Sequence, residues 1–144
     1  MTDLEKAREL LKTGNFGSCV LYSEHIIHTG KGKGIAPMME FLAAGLDMKG
    51  FAAADVIAGK AAALLFALAG VNAVYADVMS KTAVEVFGRF GIRCVYGELV
   101  DYIKNRDETG MCPMEQAVLN TNDPQEAFEI LNRCVRQSQF PRFL

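Results

Sequence analysis

The first candidates for chemistry are two polar residues at the start of a long alanine-rich stretch. Asp55 and Lys60 precede residues 61–69, which are apolar at every position. An unpaired ammonium group is costly to bury, so Lys60 must reach solvent, an acidic partner or an anionic ligand. We predict that Asp55 caps a helix and that Lys60 points into a ligand pocket. Snorkelling or ion pairing of Lys60 is the alternative.

A second candidate is Ser80, where a predicted strand gives way to a helix. In open α/β sheets, ligands bind outside the carboxyl ends of the strands, and the free amides at a helix N-terminus favour anions. Ser80 is the predicted N-cap, and a capping role alone explains it equally well. We expect the helices that begin near residues 55 and 80 to open at the same edge of the sheet.

The third candidate group is Asn105, Arg106 and Cys112. Cys112 precedes Pro113 and is followed at the third helical position by Glu115, an arrangement similar to a capping box. A helix N-terminus favours the thiolate form of cysteine. Neither histidine lies near Cys112 in the sequence, so the sequence does not identify a base for a catalytic thiol. Catalysis, lining of a pocket and simple packing are the three alternatives for Cys112.

Two further patterns carry weaker signals. His25 and His28 are three residues apart on a predicted strand, so they face opposite sides and cannot easily share a metal ion. The glycine-lysine run at residues 30–34 could cradle a phosphate, but a solvated turn is the more common role of such a run. The residues therefore predict neither a metal site nor a cofactor.

Composition narrows the class of protein. The 144 residues suit one domain, and a formal net charge of -2 gives no general attraction to nucleic acid. The longest apolar segment, residues 61–71, is much shorter than the roughly 20 residues that cross a bilayer. The charged, amphipathic N-terminal segment does not have the pattern of a signal peptide. We expect a cytoplasmic protein with four reduced cysteines that binds neither membranes nor nucleic acid.

The elements that must position these residues form an α/β pattern. The spacing of apolar residues and turn signals predicts helices over 3–13, 35–42, 52–69, 81–90, 99–103, 113–119 and 123–136, and strands over 18–23, 25–29, 71–80 and 92–96. The first two strands are predicted to form an antiparallel hairpin. The alternation from 52 to 96 indicates a parallel crossover with helices on the faces of the sheet.

Four segments taken together resemble a known family. Residues 55–63, 77–81, 105–106 and 112–115, in this order, are similar to a small prokaryotic family, described as a domain of unknown function, with a cytidine-deaminase-like fold. The resemblance extends from about Ser18 to Asn132. It implies a three-layer α/β/α domain around a mixed sheet, and it implies no particular activity.

The wider deaminase superfamily provides a test for zinc. Its zinc enzymes place His or Cys before Ala-Glu at one helix start and Pro-Cys-x-x-Cys at the next. We assign these positions to residues 54–60 and 79–82, which contain no histidine or cysteine. Zinc-activated attack by water is therefore not expected.

Two functions follow from these observations. The first is a small-molecule site for an anionic or nucleotide-like metabolite, lined by the six candidates Asp55, Lys60, Ser80, Asn105, Arg106 and Cys112. Whether it is an enzyme stays open; Lys60 or Cys112 could be a nucleophile and Asp55 a base. The alternative is a non-catalytic sensor or interaction domain that forms a homodimer through the apolar tail at residues 139–144.

Overall fold

The computed structural model describes the backbone of residues 1–143 and the side chains of residues 1–136. The elements are α1 (Asp3–Lys12), β1 (Cys19–Ser23), β2 (Ile26–Gly30), α2 (Ala36–Ala43), β3 (Ala52–Ala58), α3 (Lys60–Ala69), β4 (Ala73–Ser80), α4 (Lys81–Arg89), β5 (Arg93–Val100), α5 (Pro113–Ala117) and α6 (Pro124–Phe143). The side chains of Phe140 and Phe143 and all of Leu144 lie outside the described residues, so the predicted contacts of the apolar tail have no structural description.

The five strands form one mixed sheet in the order β2-β1-β3-β4-β5. Strand β1 is antiparallel to both β2 and β3, whereas β3, β4 and β5 are parallel. The β1–β2 hairpin turns at Glu24 and His25, whose φ angles of 45° and 75° belong to the type of two-residue turn that suits twisted hairpins. The predicted mixed sheet and N-terminal hairpin are confirmed, but His25 lies in the turn and not on the strand.

The prediction of one helix over residues 52–69 is wrong. Residues 52–58 form β3, in the middle of the sheet, and α3 begins only at Lys60. An apolar run does not distinguish a buried helix from a strand covered on both faces, and pairing with β1 and β4 decides for the strand here. Asp55 therefore lies within a strand and does not cap a helix.

The predicted helix over residues 99–103 is also wrong. Strand β5 continues to Val100, because Leu99 and Val100 pair with Met79 and Ser80 of β4. A loop follows, and a single bridge between Lys104 and Met111 closes it. Helix α6 begins at Pro124 as predicted, and Asp123 caps it by accepting a hydrogen bond from the backbone N–H of Gln125 at 3.0 Å.

Helices cover both faces of the sheet. Helix α1 packs its apolar stripe, Leu4, Ala7 and Leu11, against β1, β3 and β4. The remaining helices lie on the opposite face around a core that includes Phe66 and Phe87. The predicted three-layer α/β/α arrangement is confirmed. In the part of the chain that the structure describes, none of the helices has the length and apolar character required to traverse a bilayer.

Candidate functional site

A groove of about 790 Å³ lies at the carboxyl ends of the three parallel strands. Its floor is one row of residues across the sheet, because Ile57 of β3 pairs with Val78 of β4, which pairs with Glu98 of β5. Directly opposite residues on neighbouring strands project from the same face, so these three side chains line the groove side by side. The groove is at the edge of the sheet where the sequence predicts a ligand site.

The loop after β5 forms the wall and rim of the groove. It contributes Tyr102, which is 40% exposed, and the cations Lys104 and Arg106. Neither cation forms an ion pair with any of the side chains described for residues 1–136. The acids Glu98 and Glu108 also line the groove. The site therefore combines an apolar and aromatic surface with charges of both signs.

One ion pair closes the groove on the side of α4. The Nζ atom of Lys81 lies 2.8 Å from Oδ1 of Asp101, and both side chains are exposed. Their hydrogen bond raises the pKa of Lys81 and lowers the pKa of Asp101. Because each charge is satisfied by the other in water, we expect this pair to position the loop with little effect on stability.

Asn105 lines the groove but its side chain shapes the loop. Its Nδ2 donates to Oγ1 of Thr109 at 3.1 Å, and its Oδ1 accepts from the backbone N–H of Thr109 at 3.0 Å. Its own backbone N–H donates to the carbonyl of Gly110 at 2.8 Å. These bonds fold residues 105–110 into a tight turn, which places the adjacent Arg106 at the rim. Of the six predicted site residues, Asn105 and Arg106 line the groove.

Asp55 is buried one row below the groove floor. It lies two residues before Ile57 on the same strand, and it is paired with Cys19 on one side and Ala76 on the other. Burial raises the pKa of Asp55 to about 8, although hydrogen bonds from the backbone N–H groups of Val56 and Ile57 oppose that change. The carboxyl group is therefore mostly protonated at neutral pH and can donate as well as accept a hydrogen bond.

The cysteine beside Asp55 is equally enclosed. Cys19 is 1% exposed, and burial, with a smaller contribution from the charge of Asp55, raises its pKa well above the ordinary value. A buried thiol in such surroundings is inert. Cys19 and Asp55 together form a neutral pair between the hairpin and the parallel part of the sheet.

The N-terminus of α3, which the sequence suggests as an anion site, is occupied by the protein itself. The carboxylate of Glu115 accepts hydrogen bonds from the backbone N–H groups of Lys60 at 2.7 Å and Ala61 at 2.8 Å. Burial raises the pKa of Glu115, and these two bonds oppose the increase. The predicted capping box around Cys112 is wrong, because Glu115 caps α3, and Cys112 makes no side-chain capping bond at α5.

Gly59 makes this contact possible. A Cβ atom at this position would lie 2.3 Å from Oε1 of Glu115 and 2.7 Å from Cγ1 of Ile103. Glycine is therefore required where β3 turns into α3 beneath α5. Glu115 has a sequence signal, an acid soon after Pro113, but the sequence assigns it to the wrong helix because the true partner is 55 residues away.

Lys60, Ser80 and Cys112 lie outside the residues that line the groove. Lys60 donates from Nζ to the carbonyl of Leu119 at 3.0 Å, beyond the end of α5, and burial lowers its pKa. Ser80 is fully buried and caps α4 by accepting from the N–H of Ala83 at 3.1 Å. Cys112 is half-buried at the start of α5. Sequence reasoning missed Tyr102, which it assigned to a helix over residues 99–103, and Lys104, which directly follows that segment.

The glycine-lysine run and His28 have structural roles. A Cβ atom at Gly30 would lie 2.4 Å from Cβ of Pro37, so this glycine permits close packing of the end of β2 on α2. The ring of His28 stacks on Phe51 with centroids 5.5 Å apart. Among the residues that the structure describes, there is no set of three His, Cys, Asp or Glu side chains placed to hold a metal ion.

Comparison with known proteins assigns a family. Residues 6–135 match the family model described as "Domain of unknown function (DUF1893)". The chain belongs to the DUF1893 family. The predicted resemblance to a family of unknown function is thus confirmed. Comparison with curated proteins finds no significant match.

Solved structures that are similar to the chain include two from Thermotoga maritima. The crystal structure of a DUF1893 family protein from Thermotoga maritima is 28% identical, with a TM-score of 0.81 over 92% of this chain and 90% of that one. A diaminohydroxyphosphoribosylaminopyrimidine deaminase/5-amino-6-(5-phosphoribosylamino)uracil reductase, also from Thermotoga maritima, is 17% identical. Its TM-score is 0.41, over 65% of this chain and 34% of that one, which is a weak similarity to a deaminase.

Proposed function

We propose that the protein binds a small anionic, nucleotide-like metabolite in the groove at the carboxyl ends of β3, β4 and β5. One observation carries the proposal: Ile57 and Val78 give the groove floor an apolar part beside Glu98, and Arg106 and Lys104 at the rim have no ion-pair partner among the described side chains. Its volume of about 790 Å³ is within the range of ligand pockets, roughly 300–1,000 Å³.

The lining of the groove favours a ligand with a planar body and an anionic group. The half-exposed ring of Tyr102 and the aliphatic side chains of Ile57 and Val78 offer a surface for a flat ring. The guanidinium group of Arg106 matches the geometry of phosphate and carboxylate oxygens. Glu98 can accept hydrogen bonds from amino or hydroxyl groups of the ligand. Nucleotides have all three of these features.

The proposed binding does not need zinc, because the starts of α3 and α4 supply no thiol or imidazole group. A reaction is not part of the proposal. Asp55 could serve as an acid or a base close to neutral pH, but it lies below the floor of the groove. A cytoplasmic location is proposed as well, and the free thiols of Cys19, Cys94, Cys112 and Cys134 support it.

The test is a binding measurement with a matched pair of arginine variants. Nucleoside monophosphates, nucleoside diphosphates and the corresponding uncharged nucleosides are titrated into the wild type by calorimetry and thermal shift. Arg106→Ala should weaken the binding of phosphate-containing ligands about tenfold or more, as expected for the loss of a charge-assisted contact. Arg133→Ala, which removes an exposed arginine of α6, should leave binding unchanged. Equal binding by both variants, or no binding by the wild type, would reject the proposal.

A second candidate function is an interaction domain that forms a homodimer through β5. This strand is at the edge of the sheet, and most of its residues, including Tyr96 and Leu99, are exposed. An open edge can pair with an antiparallel copy of itself about a two-fold axis. Light scattering should then give a dimeric mass for the wild type and a monomeric mass for Leu99→Lys. A monomeric wild type at high concentration would eliminate this candidate.

A further inference from the structure

A second, smaller groove of about 200 Å³ lies on the face of the sheet that α1 covers. Helix α1 packs mainly on β1, β3 and β4. The register places Arg93 opposite Ala73 and Val95 opposite Tyr75, so these two residues of β5 project on the same face as α1. The groove is bounded by the first two turns of α1 on one side and by β4 and β5 below. It shares no lining residue with the groove at the strand ends.

Two guanidinium groups line this small groove. The Cζ atom of Arg8 lies 4.5 Å from the centroid of the Tyr75 ring, in cation–π geometry. The ring is itself held, because the Tyr75 hydroxyl donates to Oδ1 of Asp77 at 2.7 Å. Asp77 is already neutralised by Lys12. Arg8 therefore packs on an aromatic surface without a direct ion pair, and its charge acts at longer range on Asp77, whose pKa it helps to lower.

The charges around the groove leave an excess of positive charge. Neither Arg8 nor Arg93 forms an ion pair with any side chain described in residues 1–136. Glu5 is the one acid in the lining, and it accepts a hydrogen bond from the backbone N–H of Thr2 at 3.1 Å as part of the capping box of α1. Its hydrogen bonds with Thr2 lower its pKa, so it stays ionised in the cap. Two cations and one acid give the groove a net charge of +1.

We propose that this small groove binds an oxyanion, the carboxylate or phosphate group of a small molecule, between the guanidinium groups of Arg8 and Arg93. Each guanidinium presents a planar fork of N–H donors that fits two oxygens of such a group. Leu4 and Val95 add apolar surface for a short carbon chain attached to it. The volume of about 200 Å³ suits a ligand smaller than the one proposed for the larger groove.

The experiment is a titration of ¹⁵N-labelled wild-type protein with inorganic phosphate and, separately, with acetate and succinate, at constant ionic strength. Amide shifts should concentrate at residues 5–8, 75 and 93–95. Arg93→Gln should weaken the binding about tenfold. Arg8→Lys, which keeps the charge and loses the fork, should weaken it several-fold. Arg89→Gln, an exposed arginine of α4 outside both grooves, should bind like the wild type.

The same titration separates this proposal from the one for the larger groove. Arg106→Ala should leave the shifts at residues 93–95 unchanged, whatever it does to nucleotide binding. The preferred probe distinguishes a phosphate group from a carboxylate, and either result supports the oxyanion site. Undiminished binding by both Arg93→Gln and Arg8→Lys would overturn it. So would the absence of saturable shifts in the wild type with all three probes.

Discussion

Replacing Asp55 by Asn should stabilise the protein at neutral pH. Asp55 is 4% exposed, and its pKa is about 8 in the folded protein against an ordinary value of 3.8. Between these values the folded state holds a proton that the unfolded state has released. Because the folded pKa is raised, the stability of the wild type is fully present below the unfolded pKa and falls as the pH rises towards 8.

The loss of stability at a given pH depends on how far that pH lies above the unfolded-state pKa of 3.8, up to the folded-state pKa of about 8. Each pH unit in this window costs about 1.4 kcal/mol, so the loss at pH 7 amounts to at most about 4 kcal/mol. Asn has nearly the same shape and does not ionise, and its Oδ1 can still accept the hydrogen bond that Asp55 receives from the N–H of Val56 at 2.8 Å. Asp55→Asn should therefore match the wild type near pH 4 and exceed its stability at pH 7.

The assay is urea unfolding of both proteins at several values between pH 4 and pH 9. Asp107→Asn, which removes an exposed carboxylate from the loop, provides the control for a change of net charge. The difference between Asp55→Asn and the wild type should grow steadily up to about pH 8 and then remain constant. A difference that does not change with pH, or a variant that is less stable at pH 8, would refute the idea that Asp55 is a buried neutral carboxyl group.

Three further substitutions test the junction between α3 and α5. Gly59→Ala should lower the free energy of unfolding by about 2 kcal/mol or more, because the added Cβ would lie 2.3 Å from a Glu115 oxygen. The control is Gly110→Ala, where an added Cβ would have no atom within 4 Å. This control should be nearly neutral in the same urea experiment. Glu115→Gln should cost about 2 kcal/mol, since it removes the carboxylate from two helix amides; a neutral result in calorimetric unfolding would show that the charge is unimportant. Lys60→Ala should cost about 1 kcal/mol, by loss of its bond to the Leu119 carbonyl, and should leave nucleotide titrations unchanged. If Lys60→Ala abolished the response to nucleotides, Lys60 would have to be part of the binding site.

The sequence predicts where the groove lies but does not predict all of the side chains that line it. Ligand sites outside the carboxyl ends of parallel strands follow from the α/β pattern. Arg106 was singled out separately, together with Asn105 and Cys112, in the loop before α5. Tyr102 was missed because Leu99 and Val100 have the apolar character of a helix face as well as of a strand, so residues 99–103 were assigned to a helix. Only pairing with β4 decided between them.

Local signals in the sequence determined the first helix, the hairpin turn at Glu24 and the start of α6 beyond Asp123. In each of these, the decisive interactions join residues a few positions apart, so spacing alone identifies them. The structure of residues 52–60 depended on partners far along the chain. Alanine favours a helix, but β1 pairs with residues 52–55 and β4 with residues 52–58. The burial of the resulting strand outweighs a small intrinsic propensity.

The same distinction applies to the site. The sequence by itself identified polar residues near the ends of strands, together with a family whose function is unknown. Only the tertiary structure showed that Glu115 fills the N-terminus of α3 and that Lys60 is bound to a backbone carbonyl. It also showed that Arg106 stands free of ion pairs with the described side chains. Whether a charge is satisfied depends on neighbours brought close by folding, and spacing along the chain does not record those neighbours.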